Sequence, residues 1–164
     1  MLDTPGYFDF VGEVEEAVSA ADAAVIVISG KAGVEVGTEK AWELCDKYNL
    51  PRMVYVTEMD MDDASFRNVV EELTARYGKV IAPHFQPIRE NEQLVGYVNV
   101  IKNAARRYTG IGQREECEIP DYCLPNLKIY RDTLLETVAE TSEDLMERYF
   151  AGEEFSRRRN SFCA

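Results

Sequence analysis

Two carboxylates and a glycine in the first 60 residues have the types and spacing for nucleotide chemistry. Asp3-Thr4-Pro5-Gly6 sets a carboxylate three positions before a glycine, and Thr57-Glu58-Met59-Asp60 ends an apolar run with a second carboxylate. A guanine-specific site needs one carboxylate for Mg²⁺ at the end of one strand. It needs another for the base at the end of a strand two further on. Taken alone, the first tetrapeptide also reads as an ordinary turn, because Pro presets φ near −65° and Gly supplies φ > 0.

The surrounding elements are what must hold these groups in place. A strand starting at Met1 is expected to end at Asp3. The amphipathic spacing of Val11, Val14, Ala17, Val18 and Ala21 then predicts a helix. Residues 23–30, Ala-Ala-Val-Ile-Val-Ile-Ser-Gly, read as a parallel strand buried on both faces. A helix over 38–48 and a second apolar run over 52–56 follow, with Pro51 at the strand entry, where its missing N–H costs least. This βαβαβ-like series predicts an α/β fold with parallel strands and right-handed crossovers. Ser29-Gly30-Lys31-Ala32-Gly33 forms the intervening loop with Lys31 as a solvated residue, and Trp42 and residues 44–48 read as core and helix end.

Further along, Phe66, Val69, Val70, Leu73 and Tyr77 predict a helix over 64–77, with Asp62 or Asp63 as its N-cap and Gly78 as its stop. Residues 79–110 have β character: strands at 80–81, 84–88, 94–100 and 106–109, with a turn over 89–92. His84, the single histidine, reads as structural. Beyond Pro120 one long helix is expected from Leu124 or Pro125 through Leu134, Leu145 and Tyr149 to near Gly152. Glu136, Glu140, Glu143, Asp144 and Glu147 make an acidic face on it, which plain solvation or a partner could explain.

Composition narrows the classes. At 164 residues and 46% hydrophobic the chain can bury a core. A net charge of −12 argues against contact with a phosphate backbone over much of the surface, and no direct DNA partner is expected. Cys45, Cys117, Cys123 and Cys163 lack C-x-x-C spacing and histidine company, so they read as reduced thiols rather than a zinc site. No stretch approaches the ~20 apolar residues of a membrane span, and the expected location is the cytoplasm.

At this point the sequence resembles the translational GTPases, elongation factor G-like members most closely. The resemblance runs through Asp3-Thr4-Pro5-Gly6, Asp9-Phe10, Glu13-Val14-Glu15, Ala32-Gly33-Val34-Glu35, Asp46-Lys47-Tyr48, Leu50-Pro51-Arg52 and Met59-Asp60. It resumes at Gln86-Pro87-Ile88, Gly96-Tyr97-Val98 and Glu143-Asp144-Leu145-Met146-Glu147-Arg148-Tyr149. It covers residues 1–155. It implies a partial P-loop GTPase-type sheet over 1–63, an α+β inserted subdomain over 64–155 ending in a long helix, and a tail over 156–164. GTP or GDP with Mg²⁺ would be the cofactors, and the ribosome and its stalk protein the partners.

By this resemblance Asp3 holds Mg²⁺ through a water, and the Gly6 N–H meets the γ-phosphate. Tyr7 stands where the family has the histidine that positions the attacking water. Asp60 accepts two N–H groups of guanine. The Asn-Lys that the family sets before Met-Asp is here Thr57-Glu58, which removes the base-contacting amide and puts a negative charge where a cation lies. No G-x-x-x-x-G-K-[ST] occurs in the chain. The first switch would precede Asp3 and the second base-contacting loop would follow Gly152, so the chain reads as the middle of such a protein, unable to hold GTP alone. The alternative is a non-catalytic protein-interaction module on the same fold. With only part of a parallel sheet, the strand starting at Met1 would expose an edge, and self-association is expected to cover it.

Overall fold

The computed structural model describes residues 1–91 and 93–152, so the expected tail lies outside the described residues. The chain divides into two compact units. One comprises Met1–Arg76 with Glu90–Leu94, and the other Tyr77–Arg89 with the described residues from Val95 onward. This division of contacts falls after Arg76.

The first unit runs α1 (Val11–Ser19), β1 (Ala24–Ser29), α2 (Val36–Lys47), β2 (Arg52–Thr57) and α3 (Phe66–Tyr77). β1 and β2 pair in parallel, from Ala24 opposite Arg52 to Ser29 opposite Thr57. Ile26 and Ile28 point into the core, but Val25, Val27, Met53 and Tyr55 are 59–63% exposed on the other face. The expectation of a strand buried on both faces is corrected: only one face of this sheet is covered. Nor is there a strand at Met1, and Met1 and Leu2 stay in water.

α2 starts earlier than its apolar spacing suggests because Glu35 caps it. The Glu35 carboxylate accepts from the Thr38 N–H, and the Glu35 N–H donates to Thr38 Oγ1 at 3.4 Å. After its last turn Asn49 takes a left-handed φ of 50°, and the Leu50 N–H reaches back to the Cys45 carbonyl at 2.8 Å. Trp42 is half-buried rather than core: the Arg52 guanidinium lies 4.5 Å over its ring and donates to its carbonyl at 3.0 Å.

α3 is capped by Ser65, whose Oγ accepts from the Asn68 N–H at 3.2 Å, and not by Asp62 or Asp63. The helix belongs with the first unit for a physical reason. Val69 and Leu73 are buried, Glu72 accepts from the Val34 N–H at 2.8 Å, and Arg76 pairs with Glu39.

The second unit is an antiparallel sheet in the order β3 (Phe85–Glu90), β4 (Gln93–Asn99), β5 (Ala104–Gly110), β6 (Gln113–Cys117), with helices α4 (Leu124–Ala139) and α5 (Glu143–Phe150). Gln86, Ile88, Gly96, Val98, Val100 and Ala105 are buried on one face, as are Leu127, Tyr130 and Leu134 of α4. Arg131 ties α4 to the end of β4 by donating to the Val100 and Ile101 carbonyls at 3.3 Å.

Three expectations change here. Residues 78–80 form a 3₁₀ turn after Gly78 (φ 78°), so there is no strand at 80–81. β6 was not expected, since Gln-Arg-Glu-Glu has no apolar alternation; the ladder with β5 holds it. The long helix is broken at 140–142. Thr141 Oγ1 bonds the Val138 carbonyl at 2.7 Å, and Ser142 Oγ accepts from the Leu145 N–H at 3.3 Å, so α5 starts afresh with its own cap. No helix among the described residues is long and apolar enough to cross a membrane.

Candidate nucleotide site

Because β1 and β2 are parallel, both end at the same edge of the sheet, and that edge is where open α/β sheets hold ligands. Ser29 is the hub. Its hydroxyl donates to the Glu58 carboxylate, while its Oγ accepts from the Lys31 and Ala32 N–H groups, both at 3.2 Å. Beside it, the Gly30 N–H donates to the Thr57 carbonyl at 2.8 Å, and the Gly30 carbonyl accepts from the Ser65 N–H at 2.9 Å. A Cβ on Gly30 would lie 2.7 Å from Met59 Sδ and 3.0 Å from the Thr57 oxygen, so a side chain there would require Met59 and the Thr57 backbone to give way.

Thr57 spends its hydroxyl on the Ile28 carbonyl at 3.3 Å. Glu58 has a left-handed φ of 56°, a conformation uncommon outside glycine. Met59 is buried between two exposed neighbours, so its side chain anchors the turn and leaves the Asp60 carboxylate facing water. Gly33 (φ 75°) brings the loop against the Glu72 carboxylate, which the Val34 N–H meets. Lys31 and His84 are both exposed.

Asp3, Gly6 and Tyr7 lie ahead of α1, all exposed, where the Tyr7 carbonyl accepts from the Phe10 N–H at 3.1 Å to close a short 3₁₀ turn. Among the described residues no hydrogen bond or ion pair joins them to Ser29, Thr57, Glu58 or Asp60. The fold therefore brings Ser29, Gly30, Thr57 and Glu58 together and leaves the Asp3 turn as a separate exposed segment. Of the assembled residues, sequence reasoning missed Ser29, Gly30 and Glu72 as contributors. Ser-Gly closing a strand was the available signal for the first two.

Electrostatics fasten α1 to α2 nearby. Glu15 accepts from Lys47 and, at 2.9 Å, from the Tyr48 hydroxyl. The hydrogen bond from Lys47 holds the Glu15 carboxyl below its usual range, and the same bond raises the Lys47 ammonium. Acceptance by Glu15 raises the Tyr48 phenol. Burial pushes the Cys45 and Cys123 thiols up, keeping them protonated and unreactive at neutral pH. No group of three or more metal-ligating side chains occurs among the described residues.

A guanine nucleotide with Mg²⁺ fits these residues only in part. Asp60 and Asp3 are both exposed, and a carboxylate is the group that could accept base N–H groups or meet a hydrated Mg²⁺. Thr57 and Glu58 do not fit: one hydroxyl is spent on backbone, and one carboxylate adds negative charge beside Ser29. Nothing in the sequence supplies the lysine and glycines that would hold the α- and β-phosphates.

Comparison with known proteins gives a consistent frame. Residues 1–154 match the elongation factor Tu GTP binding domain family. An elongation factor G-like protein of Thermotoga maritima is 36% identical over 154 residues, which are 94% of this chain and 22% of that protein. A crystal structure from Thermus thermophilus superposes with a TM-score of 0.84 at 40% identity, covering 95% of this chain and 23% of that one. The chain thus spans about a fifth of the length of the relatives it matches.

Proposed function

Since this chain belongs to the elongation factor Tu GTP binding domain family, and so to the translational GTPases, we propose that its first unit carries the guanine-facing and Mg²⁺-facing parts of a GTP switch. The observation that carries the reading is the shared end of β1 and β2, where Ser29, Thr57 and Glu58 meet at the edge such sheets use for ligands, with Asp60 exposed in the turn that follows. Asp60 recognises the base. Asp3 would hold a hydrated Mg²⁺, and the Gly6 N–H would meet the γ-phosphate. Bound Mg²⁺ would supply charge neutralisation at the phosphates. Tyr7 takes the place of the water-positioning histidine, and a phenol at neutral pH cannot accept the proton that an imidazole can.

The second unit is the ribosome-facing part in this reading. Glu136, Glu140, Glu143, Asp144 and Glu147 are all exposed on α4 and α5 or the link between them, and they suit a basic surface such as that of a ribosomal stalk protein. The setting would be the cytoplasm. The 164 residues by themselves act as a binding module, because Thr57 and Glu58 are engaged within the protein and no phosphate loop accompanies them. The bare apolar face of Val25, Val27, Met53 and Tyr55 gives them a reason to self-associate. Light scattering is expected to show mass rising with concentration; a constant monomer would remove that part.

Calorimetric titration with GTP and GDP in Mg²⁺ tests the main reading. No heat is expected up to millimolar nucleotide. Binding tighter than about 10 μM, roughly −7 kcal/mol, would mean that other residues hold the phosphates, and the assignment of the site would fall.

A further inference from the structure

The outward face of the second unit's sheet carries a row of aromatic rings edged by arginines. The Phe85 ring meets Tyr97 edge-on, 5.4 Å between centroids, and Tyr97 leans toward Tyr108 at 6.0 Å. Strand register supplies the charges. Tyr97 sits opposite Arg106, Tyr108 opposite Arg114, and Arg106 opposite Glu116, all on this face. Arg89 shares it by alternation from Phe85 along β3. Arg114 donates to the Tyr97 hydroxyl at 3.1 Å, and Arg106 donates to Glu116 at 3.3 Å.

Ring-to-ring packing explains why three aromatics line up across β3, β4 and β5. It does not use the outer halves of the rings, since Phe85 remains 53% and Tyr108 47% exposed. Nor does it explain the local charge. In a chain of net charge −12, the described residues of this face include Arg89, Arg106 and Arg114 and the carboxylate of Glu116. Arg106 and Arg114 each have guanidinium N–H groups beyond the one that meets Glu116 or the Tyr97 hydroxyl. An open antiparallel sheet with half-exposed rings and flanking arginines has the chemistry that stacks unpaired bases and meets their phosphates.

We propose that this face binds single-stranded RNA. Bases stack on the open halves of Phe85 and Tyr108, and Arg89, Arg106 and Arg114 meet phosphates. The site lies in a different unit from the candidate GTP site. Only the choice of RNA over DNA rests on the translation-factor reading.

The test is fluorescence anisotropy of the full chain with a labelled single-stranded oligouridylate at low salt. Binding that weakens steeply as salt rises is expected. The Phe85→Ala/Tyr108→Ala variant should bind at least about tenfold more weakly, with circular dichroism confirming that it folds. Glu116→Lys should bind several-fold more tightly, a gain that unfolding cannot imitate. Absence of binding, unchanged affinity in Glu116→Lys, or full affinity in the aromatic variant would each overturn the proposal. Equal affinity for deoxyuridylate would overturn the assignment to RNA. The nucleotide titration decides none of these outcomes, so the two readings fail separately.

Discussion

Substituting Gly96 by alanine should cost about 3 kcal/mol of stability, at the upper end for overpacking, read as a lower urea midpoint for the whole chain. Gly96 sits in β4 directly opposite Arg107 of β5. A Cβ there would fall 2.2 Å from the Arg106 carbonyl oxygen and 3.0 Å from the Arg107 Cα, so backbone itself must move. β5 has no freedom to yield, because it is held on its other side by β6 through Arg106–Glu116 and Arg107–Glu115. The clash must therefore open the β4–β5 ladder or unseat Val98, which is fully buried two residues on. With domain stabilities of roughly 5–15 kcal/mol, such a loss leaves a visibly destabilised protein. The neighbouring substitution Tyr97→Phe, which removes only the hydroxyl that Arg114 meets, should leave the midpoint within about 0.5 kcal/mol of the parent. Equal midpoints for Gly96→Ala and the parent would show that the close approach has no energetic weight.

The second large effect concerns nucleotide binding. Under the proposed assignment, Thr57→Asn together with Glu58→Lys should tighten affinity for GDP by about a hundredfold, near 3 kcal/mol, because it would add an amide contact and reverse a charge beside the base. Two changes are needed for separate reasons. Thr57 now gives its hydroxyl to the Ile28 carbonyl, while Glu58 accepts from Ser29 and sets a negative charge at the strand end. In calorimetry the variant should give heat at millimolar GDP where the parent gives none. Adding Asp60→Ala to it should abolish that heat if Asp60 receives the base N–H groups as proposed. A silent double variant would mean that Asp60 is not held where guanine could reach it. ADP serves as the control, since without the guanine N–H groups it should stay silent in every variant.

Much of the first unit was legible because apolar periodicity marks elements that pack. The runs at 23–30 and 52–56 became β1 and β2, and the spacing of Val69 and Leu73 placed α3. Motif spacing likewise located Thr57 and Asp60 at the end of β2, next to the β1 end. Polar segments were less readable. β6 lacks any apolar signal and exists through its partner strand. The break at 140–142 turned on whether Thr141 and Ser142 would bond their own backbone, a local competition that helical periodicity does not register.

Residue type and order, then, were enough to set most elements of the first unit and the family, since periodicity and motif spacing are local. Contacts between residues distant in the chain were not contained in that spacing. Ser29 meeting Glu58 across 29 residues, Gly30 closing on Met59, Glu72 receiving the Val34 N–H, and Val25, Val27, Met53 and Tyr55 left in water all follow from which elements pack together. A periodic pattern says that a strand has an apolar face. Whether another element covers that face is a property of the folded chain, because burial depends on neighbours that sequence distance does not specify.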